Sequence, residues 1–135
     1  MSFEMYVAIG VSLLFGLIVG ALIFWKVPRR LKHDYYVTRW KRLQQRCPDK
    51  EQWPEAIREA DDLLGEALKR KKFKGKNTGE RMVDAQKHFT SNDIVWFGHK
   101  LRTKLDINPD TPLTQNDVQK ALFGLRQGLK DIGAL

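Results

Sequence analysis

The chain has 135 residues, 42% of them hydrophobic and 30% charged, with a formal net charge of +8. These values exclude a disordered chain and one that crosses a membrane many times, and the length suits one domain of ordinary size. Cys47 is the only cysteine, so no intramolecular disulfide can form, and histidines at 33, 88 and 99 offer no zinc-binding spacing.

The charge is sharply partitioned: residues 1–25 carry only Glu4. Tyr6 to Trp25 reads YVAIGVSLLFGLIVGALIFW, twenty residues whose only polar side chains are Tyr6 and Ser12. At ~1.5 Å per residue such a helix spans roughly 30 Å, the hydrocarbon thickness of a bilayer. Tyr6 and Trp25 bracket it, as amphipathic aromatics do at headgroup level. A cleaved signal peptide is the rival reading, but MSFEMY lacks the basic residues such a leader begins with. Lys26, Arg29, Arg30 and Lys32 follow the run instead. By the positive-inside rule they stay in the cytoplasm, which predicts a single-pass protein of the cytoplasmic membrane with its N-terminus outside. Ser12, Gly16 and Gly20 recur every fourth residue, a small-residue strip suited to a helix dimer.

The remainder divides into a basic juxtamembrane linker, 27–33, and a cytoplasmic helical domain, 34–135, after the anchor 1–26. Pro28 ends or bends the first helix. From Asp34 to Cys47, Val37, Trp40, Leu43 and Cys47 recur at helical spacing, and Pro48 stops the pattern. Asp49 and Gln52 resemble a capping box for a helix from about Trp53 to Arg70, with Pro54 in its first turn. There Ala56, Ile57, Ala60, Leu63, Leu64, Ala67 and Leu68 form an apolar stripe, while Glu55, Glu59, Asp61, Asp62 and Glu66 fill other positions. Residues 71–79 read as a basic loop. Thr78 or Gly79 opens a short helix over Glu80–Phe89, with Met82, Ala85, Gln86 and Phe89 on one face and His88 at its C-terminal end. Ser91 or Asn92 caps a helix turning Ile94, Phe97, Leu101 and Leu105 inward. Residues 107–114 form a turn. Thr114 with Asp117 caps the last helix, striped by Val118, Ala121, Leu122, Leu125, Leu129 and Ile132. No run alternates like a strand, so the domain is all-α, a bundle of four to five helices.

The stretch WPEAIREADDLLGEALKRKKFKGKNTGERM (53–82), then VWFGHKLRTKLDINPDTPLT (95–114) and a closing DIGAL resemble a family of small uncharacterised proteins. These come from ultra-small bacteria of the candidate phyla radiation and pair an N-terminal membrane helix with a cytoplasmic helical domain. The resemblance covers roughly residues 35–135. That domain is in turn similar to HEPN helical domains, many of them ribonucleases with an Arg-x4–6-His motif near a helix end, often RNxxAHEPD among these relatives. The corresponding residues here run from Arg102 to Asp110. Arg102, Pro109 and Asp110 match, but Ile107 stands where the histidine would. RNA cleavage without metal needs a group titrating near neutrality, and isoleucine is not one. The resemblance therefore implies the fold and argues against the activity. His99, three residues before Arg102, is the one fallback acid or base.

The acids Glu55, Glu59, Asp62 and Glu66 read as a solvated face, and no metal or cofactor is implied: Walker A, GxGxxG, GxSxG and HExxH patterns are absent. Two basic clusters remain. The juxtamembrane residues Lys26, Arg29, Arg30 and Lys32 suit anionic lipid. Lys69, Arg70, Lys71, Lys72, Lys74 and Lys76, with Arg102, are candidates for phosphate or weak nonspecific nucleic-acid contact. The sequence thus predicts a membrane-tethered, non-catalytic interaction domain, self-associating or bound to an unidentified protein. A HEPN-type ribonuclease and an accessory subunit of a membrane complex are the alternatives.

Overall fold

A computed structural model describes residues 2–26 and 30–135, without the side chains of 24–26. The side chains of Trp25 and Lys26, and Pro28 and Arg29 entirely, lie outside the described residues. Among those described the protein is all-α. Helix α1 (Phe3–Lys26) contains a 21-residue stretch, Phe3–Ile23, of mean hydropathy 2.5, none of it buried. Nothing approaches Gly16 or Gly20 within 4 Å of where a Cβ would stand, so the small-residue strip is uncovered.

The other helices are α2 (His33–Arg46), α3 (Trp53–Arg70), α4 (Thr78–Asp84), α5 (Asn92–Ile107) and α6 (Gln115–Asp131). α3 packs against all the other four. Its stripe is the one the sequence predicts, and Ile57, Leu63, Leu64 and Leu68 are fully buried. Burial of such side chains stabilises by roughly 1.5–3 kcal/mol each. Helices α2, α3, α5 and α6 alternate in direction in chain order, so that α3 and α6, which also pack together, run parallel. Arg39 pairs with Glu66 and Arg46 with Glu59 across α2 and α3. Gly124 meets Ile94, and Gly128 meets Val95, across α5 and α6.

Several local expectations shift. In α2 the buried face is Tyr36, Trp40 and Leu43, with Val37 only half-buried, and Leu31 from the linker joins the core. Asp49 does not cap α3: its carboxylate accepts from Glu51 N, opening a 3₁₀ turn Lys50–Gln52. The Trp53 indole closes this corner by donating to Cys47 O at 2.7 Å. Asn77, rather than Thr78 or Gly79, caps α4 through Glu80 N. α4 ends at Asp84, five residues early, so Gln86 is exposed and His88 sits edge-on against Phe73 instead of at a helix terminus. The capping box of Thr114 and Asp117 on α6 is as expected.

α5 is rotated from its predicted face. Val95, Gly98 and Leu105 are buried, whereas Ile94, Phe97 and Leu101 are only half-covered. The reason is glycine. A Cβ on Gly98 would lie 2.6 Å from Leu125 Cγ, and one on Gly124 would collide with the Ile94 carbonyl. Close approach fixes the rotation, and Phe97 is left outside beneath the Lys120 ammonium, 4.3 Å from its ring centre.

Two helices end in the same motif. At α6, Ala134 N donates to Leu129 O and Gly133 N to Lys130 O, with Gly133 at φ 87°. At α3, Phe73 N donates to Leu68 O and Lys72 N to Lys69 O, with Lys72 at φ 67°. The left-handed position suits glycine. A lysine there is disfavoured by roughly 1–2 kcal/mol. Glycine's greater unfolded-state freedom offsets part of the gain from replacement. Lys72→Gly should therefore stabilise the bundle by about 0.5–1 kcal/mol, read as a raised urea midpoint with unchanged slope.

Candidate functional site

The most concentrated polar chemistry lies between α3 and α5. Asp61 stands on the apolar stripe of α3, one turn after Ile57 and one before Leu64, and is 2% exposed. α5 brings His99 and Arg102 to it from one face. His99 Nδ1 lies 2.9 Å from Asp61 Oδ1, and Arg102 Nη1 donates to Asp61 Oδ2 at 3.1 Å. A carboxylate can only accept, so Nδ1 carries the proton, and in the neutral ring Nε2 keeps its lone pair. Nε2 faces Gly79 at the start of α4, and Trp96 packs edge-on against the ring at 5.6 Å.

Arg102 is held on three sides. Besides Asp61 it donates from Nη1 to Asp62 at 2.7 Å and from Nε to Asp106 at 2.6 Å. Burial disfavours its charge, but the hydrogen bond and charge of Asp62, then the charges of Asp61 and Asp106, more than offset this and raise its pKa. The guanidinium stays protonated throughout the working pH range. Arg58 continues the network, donating to Asp106 at 3.3 Å and Glu55 at 2.7 Å. Carboxylates thus occupy Nε and Nη1 of Arg102, while Nη2 and His99 Nε2 have no hydrogen-bond partner among the described residues. Ile107, the last residue of α5, is 81% exposed.

The acids of α3 at positions 55, 59, 62 and 66 reach solvent, Glu55 and Asp62 exposed and Glu59 and Glu66 half-buried, and they are also paired. Glu55, Glu59, Asp62 and Glu66 each pair with an arginine, three of them with one on another helix. Among the described residues no group of three or more His, Cys, Asp or Glu could hold a metal ion.

The loop lysines behave differently. Lys74 N donates to Asp84 at 2.8 Å and Lys76 N to Glu80, so carboxylates of α4 pin the backbone. Among the described residues Lys69, Lys71, Lys72, Lys74 and Lys76 make no ion pair, while Arg70 reaches Glu66 at 3.7 Å. Arg30 and Lys32 are exposed.

A groove of about 540 Å³ separates the C-terminal part of α2 from α6, within the size range of ligand sites. Trp40, Cys47, Trp53, Val118 and Leu122 form its floor, Arg126 lines it, and Phe123 stands 60% exposed at its edge. Burial pushes the Cys47 thiol above its ordinary value. The thiol form is therefore favoured in the folded state, and below the ordinary value both states are neutral. Above it the unfolded chain ionises first, so stability falls as pH rises through alkaline values. Iodoacetamide should label folded Cys47 slowly at pH 8 and several-fold faster in urea; equal rates would mean the thiol is unshielded.

Fold and site together define a helical bundle with an interhelical ion-pair cluster, carried behind an exposed apolar helix. No family model, curated protein or solved structure matches the chain.

Sequence reasoning missed Asp61 as the centre of this cluster, although its place on the apolar stripe was a usable signal: an acid there must find partners.

Proposed function

We propose that the protein is a single-pass protein of the cytoplasmic membrane whose residues 34–135 form a HEPN-like interaction domain on the inner face, without nuclease activity. The use of Asp61, His99 and Arg102 as a tie between α3 and α5 supports this reading. His99 Nδ1 and Arg102 Nη1 bond to Asp61 across α3 and α5, and what carries the reading is the α2–α6 groove, an open apolar surface with aromatic side chains, the composition of interface centres. The unburied 21-residue apolar stretch supports the anchor, and the basic residues after it support a cytoplasmic bundle. Ile107 in the position of the family histidine supports the absence of catalysis. The partner is a protein, bound at the groove, and self-association through Ser12, Gly16 and Gly20 is the second contact.

A photo-crosslinking residue at Phe123 in the full chain, expressed in bacteria, should yield a discrete protein adduct in the membrane fraction. The adduct should disappear when Leu122→Asp is added. Adducts to lipid alone, or a bundle facing outward by protease protection, would overturn the reading.

One observation favours a second reading. Asp61 fixes the tautomer of His99 and leaves Nε2 unprotonated in the neutral ring, the orientation an acid/base catalyst requires. Cleavage of single-stranded RNA in chelator, abolished by His99→Ala, would establish the ribonuclease and displace the interaction domain.

A further inference from the structure

We propose that the bundle stands on the membrane through the end carrying residues 69–76, with anionic lipid headgroups as the ligand of that loop. The inference rests on the tethered reading above and adds the surface and the lipid class to it.

The antiparallel order decides which segments share an end. The N-terminus of α2 and the C-terminus of α3 lie together, because Tyr35 donates to Glu66 at 2.9 Å and Arg70 lies 5.9 Å over the Tyr35 ring. The C-terminal end of α6 joins them: Lys71, Phe73, His88, Lys130 and Gly133 line one cleft of about 370 Å³. Two basic clusters far apart in sequence, at 30–32 and 69–76, therefore meet at one end of the bundle. The opposite end is made by segments 47–55 and 106–117. Those hold six acids (Asp49, Glu51, Glu55, Asp106, Asp110 and Asp117) and one base, Lys50, whereas the near end, segments 30–35, 69–93 and 130–135, holds eleven bases and five acids (Asp34, Glu80, Asp84, Asp93 and Asp131). The bundle is thus an electric dipole along its helices.

The basic end is also the end next to the anchor. Six residues separate Lys26 from His33, and even the seven fully extended Cα–Cα steps between them reach only ~25 Å. An 18-residue helix such as α3 is itself ~27 Å long. An anionic bilayer attracts the near end and repels the far one, so charge and tether select the same upright orientation. Arg39, Arg46, Arg58 and Arg102 pair with carboxylates, whereas the five loop lysines, like the other lysines among the described residues, make no ion pair. The loop backbone is already fixed by Asp84 and Glu80, so little order is lost when lipid is bound. A nucleic acid could use the same lysines, but the loop's position beside the anchor favours lipid.

The test is acylation footprinting of the full chain in nanodiscs of phosphatidylcholine alone or with 30 mol% phosphatidylglycerol. Lys50, within the acidic end, and Lys104, beside it in the last turn of α5, serve as internal references. Phosphatidylglycerol should lower labelling of Lys69–Lys76 at least fivefold relative to those references, and 0.5 M salt should restore it. In a Lys71→Gln/Lys72→Gln/Lys74→Gln variant the remaining loop lysines should lose most of that lipid dependence. Equal loop labelling in both lipids would overturn the docking while leaving the anchor intact. Failure of the chain to float with either lipid composition would overturn anchor and docking together. Loop protection by added single-stranded RNA, but not by phosphatidylglycerol, would assign the surface to nucleic acid instead.

Discussion

Arg102→Ala should destabilise the bundle by about 3 kcal/mol, the low end of the cost of breaking a buried ion pair. Asp61 is 2% exposed and has two partners; the substitution leaves it with His99 alone. It also removes the cation from between Asp62 and Asp106. Arg102 retains about a fifth of its side-chain exposure, so water enters the vacated space and holds the cost near the lower bound. Against a total of roughly 5–15 kcal/mol the loss is large. Urea unfolding of the detergent-solubilised full chain, followed by tryptophan fluorescence, measures it. Adding Asp61→Asn should recover part of the loss, because the uncompensated charge is then gone. A curve superimposable on that of the unmutated protein would exclude the cluster from the folding energetics.

Gly124→Ala should also destabilise by about 2–3 kcal/mol, although alanine is the better helix former by roughly 1 kcal/mol. The sign is informative. An added methyl would strike the Ile94 carbonyl, which is backbone and cannot rotate aside, so α5 and α6 must separate. Gly128→Ala meets Val95 Cγ1 at 3.1 Å, a side chain able to adjust, and should have a milder effect. Gly16→Ala meets nothing within 4 Å and should leave the bundle's unfolding unchanged. A stabilised Gly124→Ala would mean that the two helices already stand further apart.

What the sequence made legible followed from period and capping. Trp53–Arg70 is read to the residue because its apolar positions step by three and four over five turns, and Thr114 with Asp117 marks the start of α6. The bundle of helices behind an apolar segment is legible on the same grounds. The rotation of α5 is not, since Gly98 and Gly124 carry no hydropathy signal and their contact joins residues distant in sequence. The end of α4 is hidden for a related reason: Ala85 and Phe89 are buried from a turn, and they mimic a helical stripe. At the site, His99 and Arg102 were visible as neighbours on one helix. Their shared carboxylate came from another helix, and the pairing of the two basic clusters needed the antiparallel topology.

The central position of α3 bears on how the chain assembles as it is made. Its stripe is complete when Arg70 leaves the ribosome, yet Leu125 and Leu129, which join it in the core, follow more than fifty residues later. At about 5–20 residues per second this interval lasts several seconds. During it, Leu64 and Leu68 have only α2, and then α4 and α5 as these emerge, to cover them. A nascent chain stalled before α6 would present a greasy helix to chaperones and proteases, so ribosome pausing between residues 107 and 114 should reduce yield far more than pausing after residue 135.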